Sequence, residues 1–459
     1  MEGNAVQGAS KSHATLFDAW TLSTGSPSVR NSDSETANWI RAAAVMKRIA
    51  LLNVKFSPNL GDGVIAECLE SELARVQPDW QVHSIDLAGR ESFGSGLDAG
   101  RGRVLKFLDA LPPLLRSLGT VTALIALIQL RYRKIWRRQL SGVSGVIVGG
   151  GQLLADTDLN FPLKLYTALG EARRVNALLA VFGVGVSEHL SKPARRLFLK
   201  AFSGFSLEHV AVRDSVSRYN WNRHFGRSGL AKANLCSDPG LLAADVYTAK
   251  PSPRSTGIPE IGIGIMNPRT LDRHSRDDDD FSFNTARDFW CALAKELLSR
   301  GLGVTLFTNG PQDGEAFLEI VLDAVDDPRV KRMPRPLVPS DLAETVRSFD
   351  AIVAHRLHAN ILAYAFRIPH VGMAWDPKME AFFDSVGRRQ YLANHTQSEP
   401  GQVADLIEAS LREGIDSDAH AEVIMKTRQA IEACARELDS AISARDNHSR
   451  SQFQNSVRA

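Results

Sequence analysis

The chain has 459 residues, enough for two domains of ordinary size, and its 44% hydrophobic and 23% charged content is that of a globular protein. A formal net charge of +2 gives no general attraction to nucleic acid. Four scattered cysteines without CxxC spacing argue against a zinc site or a disulfide framework and fit a reducing cytosol.

Residues 1–45 are rich in Ser, Thr, Asn and Ala without a signal-peptide core, and read as a disordered extension or as residues added by an upstream start codon. No apolar run reaches the roughly 20 residues that span a bilayer. Arg48 to Val54 is a buried first strand, followed by the loop Asn59-Leu60-Gly61-Asp62-Gly63 and a helix over Val64 to Val76. Asp62 stands where either a helix N-cap or a ligand-facing carboxylate would stand. Gln81 to Leu87 is a second strand.

Residues 104–140 differ in character. Two apolar segments, Val104–Leu115 and Val121–Leu130, flank a Gly-Thr break, and the basic run Arg131 to Arg138 follows at once. Two readings fit: a segment lying on an anionic membrane surface, or a helical hairpin packed on its domain with a solvated basic face. Gly145 to Gly151 is a strand running into three glycines, where a ligand could approach the backbone. It lacks the GxGxxG spacing and the Lys-Ser/Thr of a phosphate loop. Asp156-Thr157-Asp158 reads as a surface loop.

Asn176 to Val186 repeats the pattern of a strand ending in glycines. His209 to Val212 stops at Arg213-Asp214-Ser215, where Asp214 or Ser215 would cap the next helix, and Asp238-Pro239-Gly240 is a sharp turn. The Pro-rich stretch 246–260 marks a linker. It divides an N-terminal domain, 46–245, from a second unit, 261–390, with C-terminal helices and a polar tail over 391–459. Strands alternating with helices throughout predict an α/β fold of two Rossmann-like, doubly wound parallel sheets.

The second unit opens with Ile261 to Met266, which ends in Asn267-Pro268-Arg269, and continues through the acidic tract Asp277 to Asp280, read as a solvated loop. Gly303 to Phe307 ends in Thr308-Asn309-Gly310. Ala351 to Ala354 then runs into His355-Arg356-Leu357-His358, at the start of an apolar helix that Pro369 stops, with Lys378 beyond the next strand. Ligand chemistry in such folds sits at the carboxyl ends of strands, and helix starts offer free N–H groups to anions. The groups so placed are Asn59, Asp62, Gly149, Gly150, Gly151, Arg213, Asn267, Arg269, Asn309, Arg356, His358 and Lys378. They suit a small polyanion bearing carboxylate or phosphate, which arginine grips in a bidentate fork. The plainer alternatives are an ordinary cap for Asp62, an internal salt bridge for Arg356, a satisfied helix-start histidine for His358 and simple exposure for Lys378. His355 is the weaker of the two histidines.

In order along the chain, Asn59-Leu60-Gly61-Asp62, Gly149-Gly150-Gly151 with Leu153, Gly183-Val184-Gly185, Arg213-Asp214-Ser215, Asp238-Pro239, Arg356-Leu357-His358, Pro369 and Lys378 resemble the polysaccharide pyruvyl transferase family over roughly residues 48–390. The resemblance implies a two-domain fold of the GT-B type. It also implies transfer of pyruvate from phosphoenolpyruvate, with release of phosphate, to a sugar of a cell-surface polysaccharide or its lipid-linked precursor, giving a ketal. It places Arg356 and His358 at the phosphoenolpyruvate site, Arg213 in the Arg-Asp motif and Gly149 to Gly151 in the glycine turn. No resident cofactor, metal or nucleic acid is expected. The expected setting is the bacterial cytoplasm, with the 104–140 segment as a candidate contact with the inner membrane. That segment, the acidic loop and residues 1–45 depart from the common pattern. The rival readings are a GT-B glycosyltransferase using a nucleotide sugar and a non-catalytic glycan-assembly subunit.

Overall fold

The computed structural model describes residues 46–94, 113–248, 257–268, 283–394 and 396–458. Residues 1–45, the acidic tract and Arg269 lie outside them, as do residues 104–112 of the apolar segment.

Two six-stranded sheets, parallel throughout, organise the described chain. In the N-lobe the strands are β1 (Lys47–Asn53), β2 (Trp80–Asp86), β3 (Gly145–Gly149), β4 (Leu178–Val184), β5 (Leu207–Val212) and β6 (Asn234–Leu235), in the order β2-β1-β3-β4-β5-β6. In the C-lobe they are β7 (Glu260–Gly264), β8 (Gly303–Phe307), β9 (Val330–Arg332), β10 (Ala351–Ala354), β11 (His370–Ala374) and β12 (Leu392–Asn394), in the order β12-β11-β10-β7-β8-β9. Strands such as Ile49 to Leu52 and Val146 to Val148 are apolar on both faces because helices cover both sides of each sheet. Strand order reverses beside β1 in one sheet and beside β7 in the other, and at such reversals the flanking loops part to leave a crevice.

Four helices position the strand-end groups: α1 (Leu60–Val76) after β1, α6 (Ser215–Phe225) after β5, α10 (Leu357–Ala365) after β10 and α11 (Pro377–Ser385) after β11. Helix α1 also joins the lobes. Leu60 and Val64 are buried in one core cluster with Leu342, Ala359 and Leu362 of the C-lobe. A backbone hydrogen bond from Leu60 N to Asn309 O, 3.2 Å, ties the loop after β1 to the loop after β8.

Several local expectations change. Asn59, not Asp62, occupies the N-cap position of α1, so Asp62 lies inside the first turn with its side chain released from capping. There is no break at Gly119-Thr120: helix α2 (Pro113–Leu127) runs through it, continues as a π-turn (Ile128–Tyr132) and becomes α3 (Arg133–Gln139). One glycine costs a helix only about 1 kcal/mol, which the surrounding Leu, Ala and Ile residues outweigh. The second sheet extends to β12, beyond residue 390, because a three-residue strand carries too little periodicity to be seen. The C-terminal helix does not give way to a tail at Arg445 but runs on to Arg458. Helix α13 (Ser417–Arg458) buries Ile431, Leu438 and Ile442 completely against Ile49 and Ile147 of the first sheet. Lys47 meets Asp439 at 2.5 Å, and the Arg445 guanidinium donates to the Asn176 carbonyl at 2.6 Å. Charged residues on its outer face dilute the buried stripe.

Candidate functional site between the two strand-end rims

Asp62 stands at the centre of the site. Its backbone N–H donates to the Asn59 carbonyl, and its carboxylate accepts from Ser57 and from Asn59 Nδ2, the latter at 3.4 Å. A Cβ added at Gly151 would lie 3.1 Å from Asp62 Oδ1, so the glycine turn after β3 fits directly against the carboxylate. Gly150 and Gly151 both hold positive φ (79° and 69°), which a side chain would strain. Burial pushes the Asp62 carboxyl up to about 6, against the pull of its two hydrogen bonds and of the charges on Arg213 and Arg356.

His358 meets this group from the other lobe. A Cβ on Gly61 would sit 2.3 Å from His358 Cγ, so only glycine lets the ring rest on the chain beside Asp62. Burial, then the charges of Arg213, Arg356 and Lys378, lower the imidazole to about 3. At neutral pH it is uncharged, with one nitrogen free to accept and the other to donate. Its Nε2 has no hydrogen-bond partner among the described residues. His355, three residues earlier, is buried edge-on to Trp290 at 5.1 Å and faces the C-lobe core.

Two guanidiniums approach from opposite lobes. Arg356 occupies the N-cap position of α10 and makes no side-chain hydrogen bond or ion pair among the described residues. Burial lowers its pKa, partly offset by Asp313 and Asp62, yet a guanidinium starting so far above neutrality keeps its charge. The simple internal salt bridge therefore does not account for it. Arg213, at the end of β5, is held by Asp214 (3.5 Å) and Asp238 (3.6 Å). Burial would lower its pKa, but Asp238, Asp214 and Asp376 together raise it. Asp214 caps α6 by accepting from Ser217 N at 2.6 Å, while Asp238 Oδ1 accepts from Gly240 N at 2.9 Å. Both carboxylates are thereby fixed, leaving Arg213 Nη2 without a partner.

Lys378 pairs with Asp376 at 2.9 Å and, with Arg213, lines a cavity of about 550 Å³ that opens from the cleft. Asn267 is less central: its amide donates to the Asp313 carbonyl at 3.3 Å, at the start of α8 (Gln312–Val325). The structure therefore brings together Asn59, Asp62, Gly149 to Gly151, Arg213, Arg356, His358 and Lys378.

Asn309, already placed at a strand end by the sequence, belongs with them, and so do Gln152 and Thr308, which it did not single out. Gln152 Oε1 is unpartnered, and Gly185 leaves room for it beside Arg213 Nη2. Thr308 Oγ1 and both amide atoms of Asn309 are buried without partners. Each follows a strand directly, which was the available signal, but Gln, Thr and Asn are common after strands and carry little specificity. Unpaired buried polar atoms are costly, about 1–3 kcal/mol each, and gathered at one cleft they mark a place built for a polar ligand.

The UDP-GlcNAc 2-epimerase of Methanocaldococcus jannaschii is similar in fold, with a TM-score of 0.52 at 10% identity over 86% of this chain and 100% of that one. The UDP-GlcNAc 2-epimerase of Neisseria meningitidis has a TM-score of 0.47 at 10% identity, over 86% of this chain and 100% of that one. The α,α-trehalose 6-phosphate synthase of Burkholderia multivorans has one of 0.46 at 12% identity, over 89% and 98%. The two-lobed α/β architecture is of the GT-B type. No curated protein sequence matches. The family profile described as "Polysaccharide pyruvyl transferase" matches residues 59–377, which span both lobes and every described member of the cleft except Lys378, and the chain belongs to that family.

Proposed function

We propose that the protein transfers pyruvate from phosphoenolpyruvate to two hydroxyls of one sugar in a cell-surface polysaccharide or its lipid-linked precursor, forming a ketal and releasing phosphate. The observation that carries this reading is the approach of Arg213 and Arg356 from opposite lobes to one buried carboxyl and one neutral imidazole. Phosphoenolpyruvate offers two anionic groups at opposite ends of a small planar body, the shape that two separated forks would hold.

The reaction needs a proton at C3 of the enol, positive charge at C2, and a hydroxyl oxygen adding there as it gives up its proton. Cleavage of the C2–O bond to phosphate then recreates a cation at C2, and the second hydroxyl adds to close the ketal. One proton is taken up on carbon, two leave the hydroxyls, and the balance departs on phosphate.

Asp62 is assigned to proton transfer, because a carboxyl near 6 holds and yields a proton around neutrality. Neutral His358 is assigned to accepting a hydroxyl proton or donating to phosphate. Arg356 and Arg213 neutralise carboxylate and phosphate, and Lys378 supplies a further charge toward the departing group. Asn59 positions Asp62, while Gly149 to Gly151 let the sugar come close to the backbone. Asn267 and Arg269, the latter outside the described residues, are assigned to substrate binding. Neither a metal nor a resident cofactor has a step in this scheme, and the setting it requires is the bacterial cytoplasm, where the donor is made.

The test is phosphate release from phosphoenolpyruvate in the presence of the native polysaccharide precursor, beside a panel of nucleotide sugars. Arg356→Ala should raise the Kd for phosphoenolpyruvate by about 30-fold or more, the loss of a charge-assisted fork, with the melting temperature unchanged. Near-normal turnover in that variant, or nucleotide release from a sugar nucleotide in the parent, would remove the assignment.

A further inference from the structure

The helical segment Pro113–Gln139 leaves one face without cover among the described residues. Trp136 Nε1 donates to the Asp86 carbonyl at the end of β2, the Gln139 carbonyl meets His83 within that strand, and the Tyr132 ring packs on Gly89 just beyond it. The helix therefore runs antiparallel to β2, and the residues before Tyr132 project past the carboxyl rim of the sheet. That is the rim from which the Asn59–Asp62 loop and the glycine turn also rise. From Ile125 to Tyr132 the overhang is about 10 Å at 1.5 Å per residue.

The two sides of this helix are unlike. Ile128, Tyr132 and Trp136 are buried in the N-lobe core. On the other side Leu127 and Leu130 are 37% and 73% exposed. Immediately beside Leu130 stand Arg131 and Lys134, both exposed and neither in an ion pair among the described residues. The rest of the basic run is spoken for. Arg133 and Arg137 grip buried Glu171 at 2.6 and 2.9 Å with Arg174 at 3.6 Å, and Arg138 meets Glu91 at 2.5 Å. Three guanidiniums around one carboxylate still leave that patch positive. No helix among the described residues is long and apolar enough to cross a membrane.

We propose that this face docks on an anionic lipid bilayer, with Leu130 and its neighbours entering the headgroup boundary and Arg131 and Lys134 pairing with lipid phosphates. The pairing of exposed aliphatic side chains with uncommitted cations selects a bilayer. A second copy of the chain would have to bury both cations against an equally positive face. On the pyruvyl transfer reading, the overhang sets the cleft close to the surface that carries a lipid-linked acceptor, but the docking itself is independent of which reaction the cleft performs.

The test is sedimentation of the full chain with vesicles of phosphatidylcholine alone and of phosphatidylcholine with equal phosphatidylglycerol, at low and high salt. The expected result is binding to the anionic vesicles, weakened several-fold by salt and several-fold weaker on phosphatidylcholine. The Arg131→Gln/Lys134→Gln variant should bind about 30-fold more weakly, near fivefold per cation. Leu130→Ser/Leu127→Ser should lose binding by about tenfold or more while keeping the parent's circular dichroism and melting temperature. No binding to anionic vesicles at low salt would overturn the proposal. So would parent-like binding by both variants, or a Leu130-dependent dimer in gel filtration that leaves vesicle binding absent.

Discussion

Asp62→Asn separates the demands of the site from those of the fold. Moving a carboxyl from the ordinary 3.8 to about 6 disfavours its charged form in the native state. At about 1.4 kcal/mol per tenfold change in ionisation, that is about 3 kcal/mol of instability at neutral pH, and about 1–3 kcal/mol after discounting for the part of Asp62 that faces solvent. The sign follows from proton counting. Between roughly pH 4 and pH 6 the native state holds the Asp62 proton more tightly than the unfolded chain, so this residue's contribution to stability falls as pH rises through that window. Asparagine has nearly the same volume, keeps an oxygen to accept from Asn59, and carries no charge to desolvate. Urea unfolding of parent and variant at pH 7.5 should show the variant more stable by about 1–3 kcal/mol, and the difference should vanish near pH 4. Turnover with phosphoenolpyruvate should drop by about 10²-fold or more, with the pH–rate inflection near 6 removed. A variant less stable than the parent at pH 7.5, or a difference that does not change with pH, would show that Asp62 ionises like a surface carboxylate and refute its assignment to proton transfer.

Gly61→Ala should act through His358: the new Cβ would collide with the imidazole at 2.3 Å, and a displacement of about 1 Å at a reacting group costs on the order of 10²-fold in rate. Activity within twofold of the parent would mean the ring is not placed by that contact. Arg213→Lys keeps the charge but loses the fork between Asp214 and Asp238, so KM for phosphoenolpyruvate should rise about tenfold or more with a smaller change in kcat. An unchanged KM would place the donor elsewhere. Asp238→Asn should reproduce part of that defect by loosening Arg213, and a normal KM in it would show that Asp214 suffices.

Much of the candidate site was legible because each strand ends where its apolar run ends, and the next residues are by topology at the rim. Arg213, Arg356 and His358 could be placed that way, and Asp214 as a cap followed from its position before α6. What the sequence could not display is contact between distant segments. Nothing local says that Gly61 is glycine because His358 lies on it, or that Leu60 bonds to Asn309 across the lobes. Of the two readings open for Asp62, the cap falls away because Asn59 holds that position, and propensity favours Asp and Asn alike there. Helix α2 was divided at Gly119-Thr120 because a local breaker was weighed without its neighbours. Gln152 and Thr308 gain interest only from burial without partners.

The C-terminal helix also bears on how the chain comes to be folded. Ile431, Leu438 and Ile442 supply one layer over Ile49 and Ile147, and a Cβ on Gly145 would touch two of them at 3.1–3.2 Å. The first lobe to leave the ribosome therefore emerges with α1 covering only part of one side of its sheet. The rest of the cover lies beyond the whole second lobe, so at about 5–20 residues per second the exposed strands wait on the order of ten to forty seconds for it. The order of synthesis thus makes the last helix the step that commits both lobes together.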